Sequence, residues 1–144
     1  MPWLGPYKIR TLLENCLLDN QEWPRETKGV YLVSQNGWRD EPKLTSVVLY
    51  VGSNTGNSDR FRTRIGDLIA DMFGFYGRQT GHHSGGANLW YFCYENSINP
   101  LDLYLGWKNY VHCALCEENK LYDQFQSKHL LNKKRPSECK GHDK

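Results

Sequence analysis

The sequence predicts a small α+β domain in which a three-stranded antiparallel sheet is flanked by helices. Two segments rich in β-branched and aromatic residues, separated by a polar stretch, predict a β-hairpin. The next segment carries apolar residues at helical spacing, and an aromatic segment after it predicts the third strand. With 144 residues, of which 39% are hydrophobic, the chain suits one domain with a modest core. The predicted order is helix, hairpin, helix, strand, helix.

Residues 1–28 are predicted to form a helical extension before the main domain. The stretch YKIRTLLENCLL places five residues at helical spacing: Ile9, Leu12, Leu13, Cys16 and Leu17. Pro24 and Gly29 then break the pattern. We expect Cys16 to belong to the core, and we expect the same of Cys93 farther along the chain.

The predicted hairpin consists of GVYLVS and LTSVVLYVG, which are joined by QNGWRDEPK. This connection contains the Asn, Gly and Pro residues that favour turns. Because side chains alternate along a strand, Tyr31 and Val33 should share one face of the sheet. Val30 and Leu32 should share the opposite face.

The segment SDRFRTRIGDLIADMFG predicts the clearest amphipathic helix of the chain. Its apolar stripe consists of Phe61, Ile65, Leu68, Ile69 and Met72. We expect Ser58 or Asp59 to cap the start of this helix and Gly74 to close it. Arg60 and Arg64, one helical turn apart, flank the stripe on one side.

The rest of the chain is predicted to contain the third strand and the last helical region. NLWYFCYE follows the glycine-rich stretch FYGRQTGHHSGGA and is interpreted as a strand. NPLDLYLGWKNYVHCALCEENKLYDQF is interpreted as one long helix or two short ones. Four of its residues are expected to face inward near its end: Leu115, Leu121, Tyr122 and Phe125.

Cysteine usage and hydropathy favour a reduced, cytoplasmic compartment. The five cysteines are an odd number, and MPWLGPYKIRTLLENC lacks the basic and apolar regions of a signal peptide. The longest apolar run, VVLYV, is too short to span a bilayer, so no membrane partner is expected. Residues 133–144 form a basic tail, which suits either a solubilising end or a polyanionic partner.

Several short motifs follow one another in a fixed order along the chain. GVY precedes YVG, and an arginine-bearing helix and a predicted strand come next. A helix with Glu118 three residues before Leu121 follows, and LLNKKRP then supplies Asn132. In this order the motifs resemble the GIY-YIG endonuclease domain over residues 29–132. The resemblance implies hydrolysis of phosphodiester bonds in DNA with Mg²⁺ or Mn²⁺ as the cofactor.

The resemblance also implies a role for each matching residue. Tyr31 and Tyr50 would orient or deprotonate the attacking water. Arg64 would bind the scissile phosphate, Glu118 would hold the metal ion, and Asn132 would brace the site. A strand tyrosine can equally be an ordinary half-buried core residue, and an arginine beside an apolar stripe can simply be solvated.

Two of these assignments have neighbouring rivals. Arg60 and Arg62 compete with Arg64, which is preferred because an apolar residue directly follows it, as in the family pattern. Glu117 competes with Glu118, which has a leucine three residues later. The hairpin connection is longer than is usual in the family.

The proposed DNA contacts are drawn from basic residues of the helix, the glycine-rich loop and the tail: Arg60, Arg62, Arg78, Lys133, Lys134 and Arg135. Many relatives carry a lysine after YIG and a histidine one turn after the arginine. This chain has Ser53 and Leu68 at those positions. His82 in GHHSGG is a candidate to take over proton transfer, and the alternative is that its loop is purely structural.

A second constellation pairs Cys113-x2-Cys116 with Cys139-x2-His142. Three thiolates and an imidazole at this paired spacing predict a structural Zn²⁺ site. Such a site would tie the Glu118 helix to the segment after Asn132. The alternative is that the cysteines pack as small hydrophobic residues and that the chain end is loose.

The sequence thus predicts a metal-dependent DNA endonuclease. The alternatives are a nucleic-acid-binding module that is not catalytic and a zinc-stabilised interaction domain. The sequence shows no separate DNA-reading domain such as a helix-turn-helix. We therefore expect specificity to come from a homodimer, from another partner protein or from the loops at 35–43 and 74–87.

Overall fold

The computed structural model describes residues 2–54, 59–74, 84–126, 129–132 and 135–139. The secondary structure comprises, in chain order, β1 (Leu4–Lys8), α1 (Ile9–Glu14), β2 (Val30–Ser34), β3 (Val48–Ser53), α2 (Phe61–Met72), α3 (Ser84–Glu95), a 3₁₀ turn (Pro100–Asp102), β4 (Tyr104–Lys108) and α4 (Ala114–Phe125). The α+β class predicted from the sequence is confirmed.

The described strands form one antiparallel sheet of four strands in the order β1-β4-β2-β3, so the prediction of three strands was wrong. The predicted hairpin is confirmed as the β2–β3 pair, in which Tyr31 lies opposite Gly52. On its other side β2 pairs with β4, and Tyr31 lies opposite Trp107. The extra strand is β1, in a segment that was predicted to be helical.

The segment NLWYFCYE was predicted to be a strand, but it belongs to α3. Leu89 and Cys93, one helical turn apart, are buried, whereas Tyr91 and Tyr94 are exposed. The helix lies close to α2, since a Cβ atom at Gly86 would come within 2.7 Å of the Leu68 carbonyl oxygen. The segment is nearly all aromatic or apolar and has no β-branched residue, so its composition could not distinguish a strand from a buried helix.

The third predicted strand is replaced by β4, whose sequence YLGWK was predicted to be helical. Leu105, Gly106 and Trp107 are fully or nearly fully buried, because both faces of β4 are covered. Leu105 and Trp107 belong to the larger core, and the Trp38 ring lies against Gly106. A strand that is covered on both faces lacks the alternating pattern that would identify it.

The N-terminal helix is shorter than predicted. It ends at Glu14, and only Ile9 and Leu12 of its expected stripe are buried. Leu17 is 91% exposed, and Cys16 is exposed, so the prediction that Cys16 is a core residue was wrong. The same prediction for Cys93 is confirmed.

Helix α2 has the predicted apolar stripe but a different start. It begins at Phe61, and the side chain of Arg60 makes no capping hydrogen bond. Glu26 acts at this end instead, because its carboxylate accepts hydrogen bonds from the Thr63 amide at 2.8 Å and the Thr63 hydroxyl at 2.7 Å. Asp59 is therefore not the cap, and a negative group from another segment meets the helix N-terminus. Ser58 lies outside the described residues.

The two faces of the sheet pack as the alternation predicts. Tyr31 and Val33 belong to the larger core, which also contains buried residues of α1, α2 and α3. Val30 and Leu32 face the opposite side, where Leu121 and Phe125 of α4 pack. The sheet is thus a middle layer between α4 and the other helices. In the part of the chain that the structure describes, no helix is both long and apolar enough to cross a membrane.

We expect mutations in α3 to distinguish its helical packing from strand packing. Leu89→Ala should lower the free energy of unfolding by about 2–5 kcal/mol because Leu89 is fully buried. Tyr91→Ala should cost about 1 kcal/mol or less because Tyr91 is 51% exposed. In a strand, both side chains would share a face. Equal losses of stability in urea titrations of the two variants would contradict the helix.

Candidate active site

Tyr31 and Tyr50 lie on adjacent strands and share one face of the sheet. Their ring centroids are 6.1 Å apart, and their hydroxyl groups are joined by a hydrogen bond. Tyr31 is fully buried, whereas Tyr50 is partly exposed. The two phenol groups therefore lie together on one face of the sheet.

Two glycines make room for this pair. The Tyr31 ring lies over Gly52, where a Cβ atom would overlap the phenol. The Tyr50 ring lies against Gly85 of α3, where a Cβ atom would collide with the ring in the same way. Each tyrosine is thus held by close contact with a backbone that bears no side chain.

The surroundings raise the pKa of both phenols. Burial is the main cause for Tyr31, and the neighbouring Tyr50 adds to it. Burial also raises the pKa of Tyr50, as does the negative charge of Glu118. The positive charge of Arg64 acts in the opposite direction on both groups but is outweighed. Both hydroxyls therefore keep their protons at neutral pH.

Arg64 reaches this group from α2. It lies three residues after Phe61, whose ring packs against Tyr31 with the centroids 6.1 Å apart. Its charge acts on Tyr31, Tyr50 and Glu118. Its Nε atom is buried and has no hydrogen-bond partner among the described residues. A buried donor without an acceptor is costly, so this atom is well placed to bind an anion.

Glu118 comes to the same place from the opposite face of the sheet. It lies in α4, and its Oε1 atom accepts a hydrogen bond of 2.5 Å from the Ser53 hydroxyl at the end of β3. Burial raises the pKa of the Glu118 carboxyl, although the Ser53 hydrogen bond and the charge of Arg64 oppose this effect. Its rival Glu117 instead pairs with Lys120 at the surface.

Asn132 is fixed to the outer edge of β3. Its Oδ1 atom accepts a hydrogen bond of 3.1 Å from the Val51 amide, and its Nδ2 atom donates one of 2.9 Å to the Val51 carbonyl. The Leu131 amide also donates to the Leu49 carbonyl at 2.6 Å. β3 is the last strand of the described sheet, so these bonds satisfy backbone groups that no further strand contacts.

The predicted DNA contacts are only partly described. His82, Arg78, Lys133 and Lys134 lie outside the described residues, as does the predicted zinc ligand His142. The other three arginines have partners within the chain. Arg62 lies 5.8 Å from the centre of the Trp23 ring, Arg60 is close to Glu26, and Arg135 forms an ion pair with Asp123.

The three predicted cysteine ligands lie together, and we refer to Cys113, Cys116 and Cys139 as the three-cysteine cluster. Their sulfur atoms all lie within 4.8 Å of one another, and this group can hold a metal ion. The Cys113 and Cys139 sulfurs are 3.5 Å apart. Cys113 also caps α4, since its sulfur accepts a hydrogen bond of 3.4 Å from the Cys116 amide.

Two polar residues that support the site were not predicted from the sequence. Ser53 was noted as a departure from the family pattern, but it holds Glu118. Asn54 is buried, and its Oδ1 atom accepts a hydrogen bond of 2.9 Å from the Gly29 amide, so it joins the start of β2 to the end of β3. The only sequence signal for either residue is its position directly after YVG.

The arrangement brings a cation, a carboxylate and two phenol hydroxyls to one end of β3. Such groups can bind an anion, hold a hard cation and orient a water molecule. No family model, no curated protein and no solved structure matches the chain. The interpretation of the site therefore rests on its geometry and on the sequence motifs.

We predict that Glu118→Gln stabilises the protein at neutral pH. Burial raises the pKa of Glu118 in the folded state above its ordinary value of 4.5. As pH rises, the carboxyl group of the unfolded chain therefore loses its proton at a lower pH than that of the folded protein. The free energy of unfolding falls as pH rises above the ordinary value, because the carboxylate must then be ionised inside the protein. Glutamine keeps an acceptor for Ser53 and carries no charge.

Thermal melts at several pH values test this expectation. The melting temperature of Glu118→Gln should exceed that of the wild type at about pH 7. This difference should shrink as pH falls towards the ordinary pKa of a glutamate carboxyl group. Glu117→Gln is the matched control, because Glu117 pairs with Lys120 at the surface and should show no such gain. A Glu118→Gln variant that melts below the wild type at neutral pH would contradict the assigned sign.

Proposed function

We propose that the chain is a GIY-YIG-type endonuclease that hydrolyses phosphodiester bonds in DNA. The observation that carries this proposal is the meeting of Tyr31, Tyr50, Arg64 and Glu118 at one end of β3. These residues come from two strands and two helices, and they are the ones singled out by the sequence motifs. Chance motif matches would have no reason to converge in this way.

Arg64 is the proposed ligand of the scissile phosphate. Its buried Nε atom lacks a partner among the described residues, and a phosphate oxygen would provide one. The charge of the guanidinium would also offset the negative charge that develops on the phosphoryl oxygens during attack. Arg60 and Arg62 are less suited to this role because they lie beside Glu26 and Trp23.

The two phenols are proposed to orient the attacking water. The raised pKa values of Tyr31 and Tyr50 favour neutral hydroxyls, so we assign them orientation and not deprotonation. The hydrogen bond between them fixes the Tyr50 hydroxyl. Tyr50 is the more exposed of the two, so it is the one that can reach water or a phosphate oxygen.

Glu118 is the proposed ligand of Mg²⁺ or Mn²⁺. A buried carboxylate with a raised pKa fits a hard cation, because bound positive charge would favour its ionised form. A single carboxylate also suits an ion that keeps most of its waters and shares the phosphate oxygens of the substrate. When bound, the cation would neutralise charge on the phosphoryl group and activate water. Ser53 orients the carboxylate through its hydrogen bond.

DNA is the proposed substrate, and specificity is proposed to come from a homodimer or a separate protein partner. Arg135 is already paired with Asp123, so Lys133 and Lys134 are the stronger candidates for phosphate contacts in the tail. Arg78 and His82 stay as predicted contacts of the glycine-rich loop.

Zn²⁺ is the metal that we propose for the three-cysteine cluster. Thiolates are soft ligands, and zinc is the usual occupant of sites that combine them with imidazole. His142 is the proposed fourth ligand on the basis of its spacing from Cys139. Zinc in such a closed site is structural, so it would not replace the cation at Glu118.

Cleavage assays on purified protein test the nuclease proposal. Wild-type protein should cut plasmid DNA with Mg²⁺ or Mn²⁺ and should not cut it in EDTA. Glu118→Gln should lower the rate by at least about 100-fold because it removes the carboxylate that holds the cation. Arg64→Lys should lower it by about 10- to 100-fold because lysine lacks the Nε donor.

The matched controls are Glu117→Gln and Arg62→Lys, which should cut at nearly the wild-type rate. Tyr31→Phe tests the hydroxyl pair, because it keeps the ring over Gly52 and removes only the hydrogen bond to Tyr50. If all variants bind DNA and the wild type never cuts DNA or RNA, the chain is a binding module. Equal cutting by Glu118→Gln and wild type would remove Glu118 from the mechanism.

Binding measurements at several salt concentrations test the basic tail. Lys133→Ala with Lys134→Ala should weaken DNA binding for all sequences and lower the log-log salt slope by about one unit per phosphate contact. Arg135→Gln should change the slope less, because Arg135 pairs with Asp123. An unchanged slope in the double variant would leave the tail as a solubilising end.

A further inference from the structure

Segment 135–139 runs along α4 in the opposite chain direction. At its start, Arg135 pairs with Asp123 near the end of the helix. In its middle, the Ser137 carbonyl accepts a hydrogen bond of 3.0 Å from Asn119 Nδ2. At its end, Cys139 joins the three-cysteine cluster at the start of the helix. The segment therefore contacts α4 at three points, near the end, in the middle and at the start of the helix.

The sulfur distances of the three-cysteine cluster fit ligands of one metal ion. The 3.5 Å between the Cys113 and Cys139 sulfurs is far longer than the roughly 2.05 Å of a disulfide bond. Two sulfurs of a tetrahedral zinc site with Zn–S bonds of about 2.3 Å would be about 3.8 Å apart.

The other end of this segment leads to the edge of β3. Asn132 and Leu131 hold β3 through the three backbone contacts described above. Positions 133 and 134 are the only ones between Asn132 and the start of segment 135–139. A bond that fixes Cys139 on α4 therefore anchors the chain a few residues after Asn132. This anchor restricts the movement by which Asn132 could separate from β3.

We propose that the three-cysteine cluster is a structural metal centre that fastens segment 135–139 to α4 and thereby holds Asn132 on β3. The same centre fixes the first turn of α4, which precedes Glu118. Binding of the metal would therefore affect the positions of both Asn132 and Glu118. The consequence for cleavage rests on the proposed nuclease function, whereas the metal centre and its effect on Asn132 do not.

Metal analysis and hydrogen exchange test this proposal without measuring cleavage. Wild-type protein should hold about one zinc ion per chain, and Cys139→Ser should hold less than about a tenth of that. Cys16→Ser is the matched control, since Cys16 is exposed and far from the cluster in sequence, and it should keep its zinc. Co²⁺ in place of zinc should give thiolate charge-transfer absorption in the wild type and in Cys16→Ser.

The exchange of the Val51 amide reports on the proposed coupling. This amide donates to Asn132, so removal of zinc or Cys139→Ser should accelerate its exchange by about tenfold or more. The Leu131 amide should respond in the same way. Leu105 lies in β4, between two strands, and its amide should be unaffected. Chelation of zinc from the wild type, followed by its return, gives the same comparison if Cys139→Ser does not fold.

Three outcomes would overturn the proposal. The first is wild-type protein that carries no metal and gives no thiolate absorption with Co²⁺. The second is a disulfide between Cys113 and Cys139 in protein purified under reducing conditions. The third is a metal whose removal leaves Val51 exchange unchanged, since the cluster would then not hold Asn132. Restored protection of Val51 on return of zinc supports the proposal even if the chain cuts no DNA.

Discussion

The contact between the Tyr31 ring and Gly52 is the constraint on which the candidate site depends. The ring occupies the space that a side chain at position 52 would fill, so the register of β2 and β3 cannot shift without a collision. Phe61 packs against the same ring and also against Gly29, which sets the start of α2. The position of Arg64 follows, because it lies on the next turn of that helix.

The candidate site lies at one end of β3, the outermost described strand, where residues from both faces of the sheet can meet. Tyr31 and Tyr50 come from the face that α2 and α3 cover, and Glu118 comes from the face that α4 covers. β3 is the outermost described strand, so side chains from both faces of the sheet can reach its end. Asn132 satisfies the outward backbone groups of this strand, and it thus also limits edge-to-edge association.

The hairpin and α2 could be predicted because their patterns are local. α3 could not, because its exposed positions include the aromatic residues Tyr91 and Tyr94, which hide the apolar–polar period of a helix. β4 could not, because both of its faces are covered. Motif order and spacing singled out four residues that the structure brings near one another: Tyr31, Tyr50, Arg64 and Glu118. Their mutual geometry could not be predicted, because the bond from Ser53 to Glu118 depends on how α4 packs on the sheet.

In the proposed reaction, the net charge of the candidate site is matched by the transition state and not by the bound substrate. The charges of Arg64 and Glu118 cancel in the empty protein. However, the Nε atom of Arg64 has no partner among the described residues, and burial raises the pKa of Glu118. In the proposed reaction, a phosphodiester would add one negative charge and a divalent cation two positive charges, which leaves the site with an excess of one positive charge. If the attacking group is hydroxide, formed when water bound to the cation releases its proton to solvent, the pentavalent transition state would carry one further negative charge and would neutralise this excess. The proposed site is therefore most complementary to the transition state, which is the condition for catalysis as opposed to simple binding.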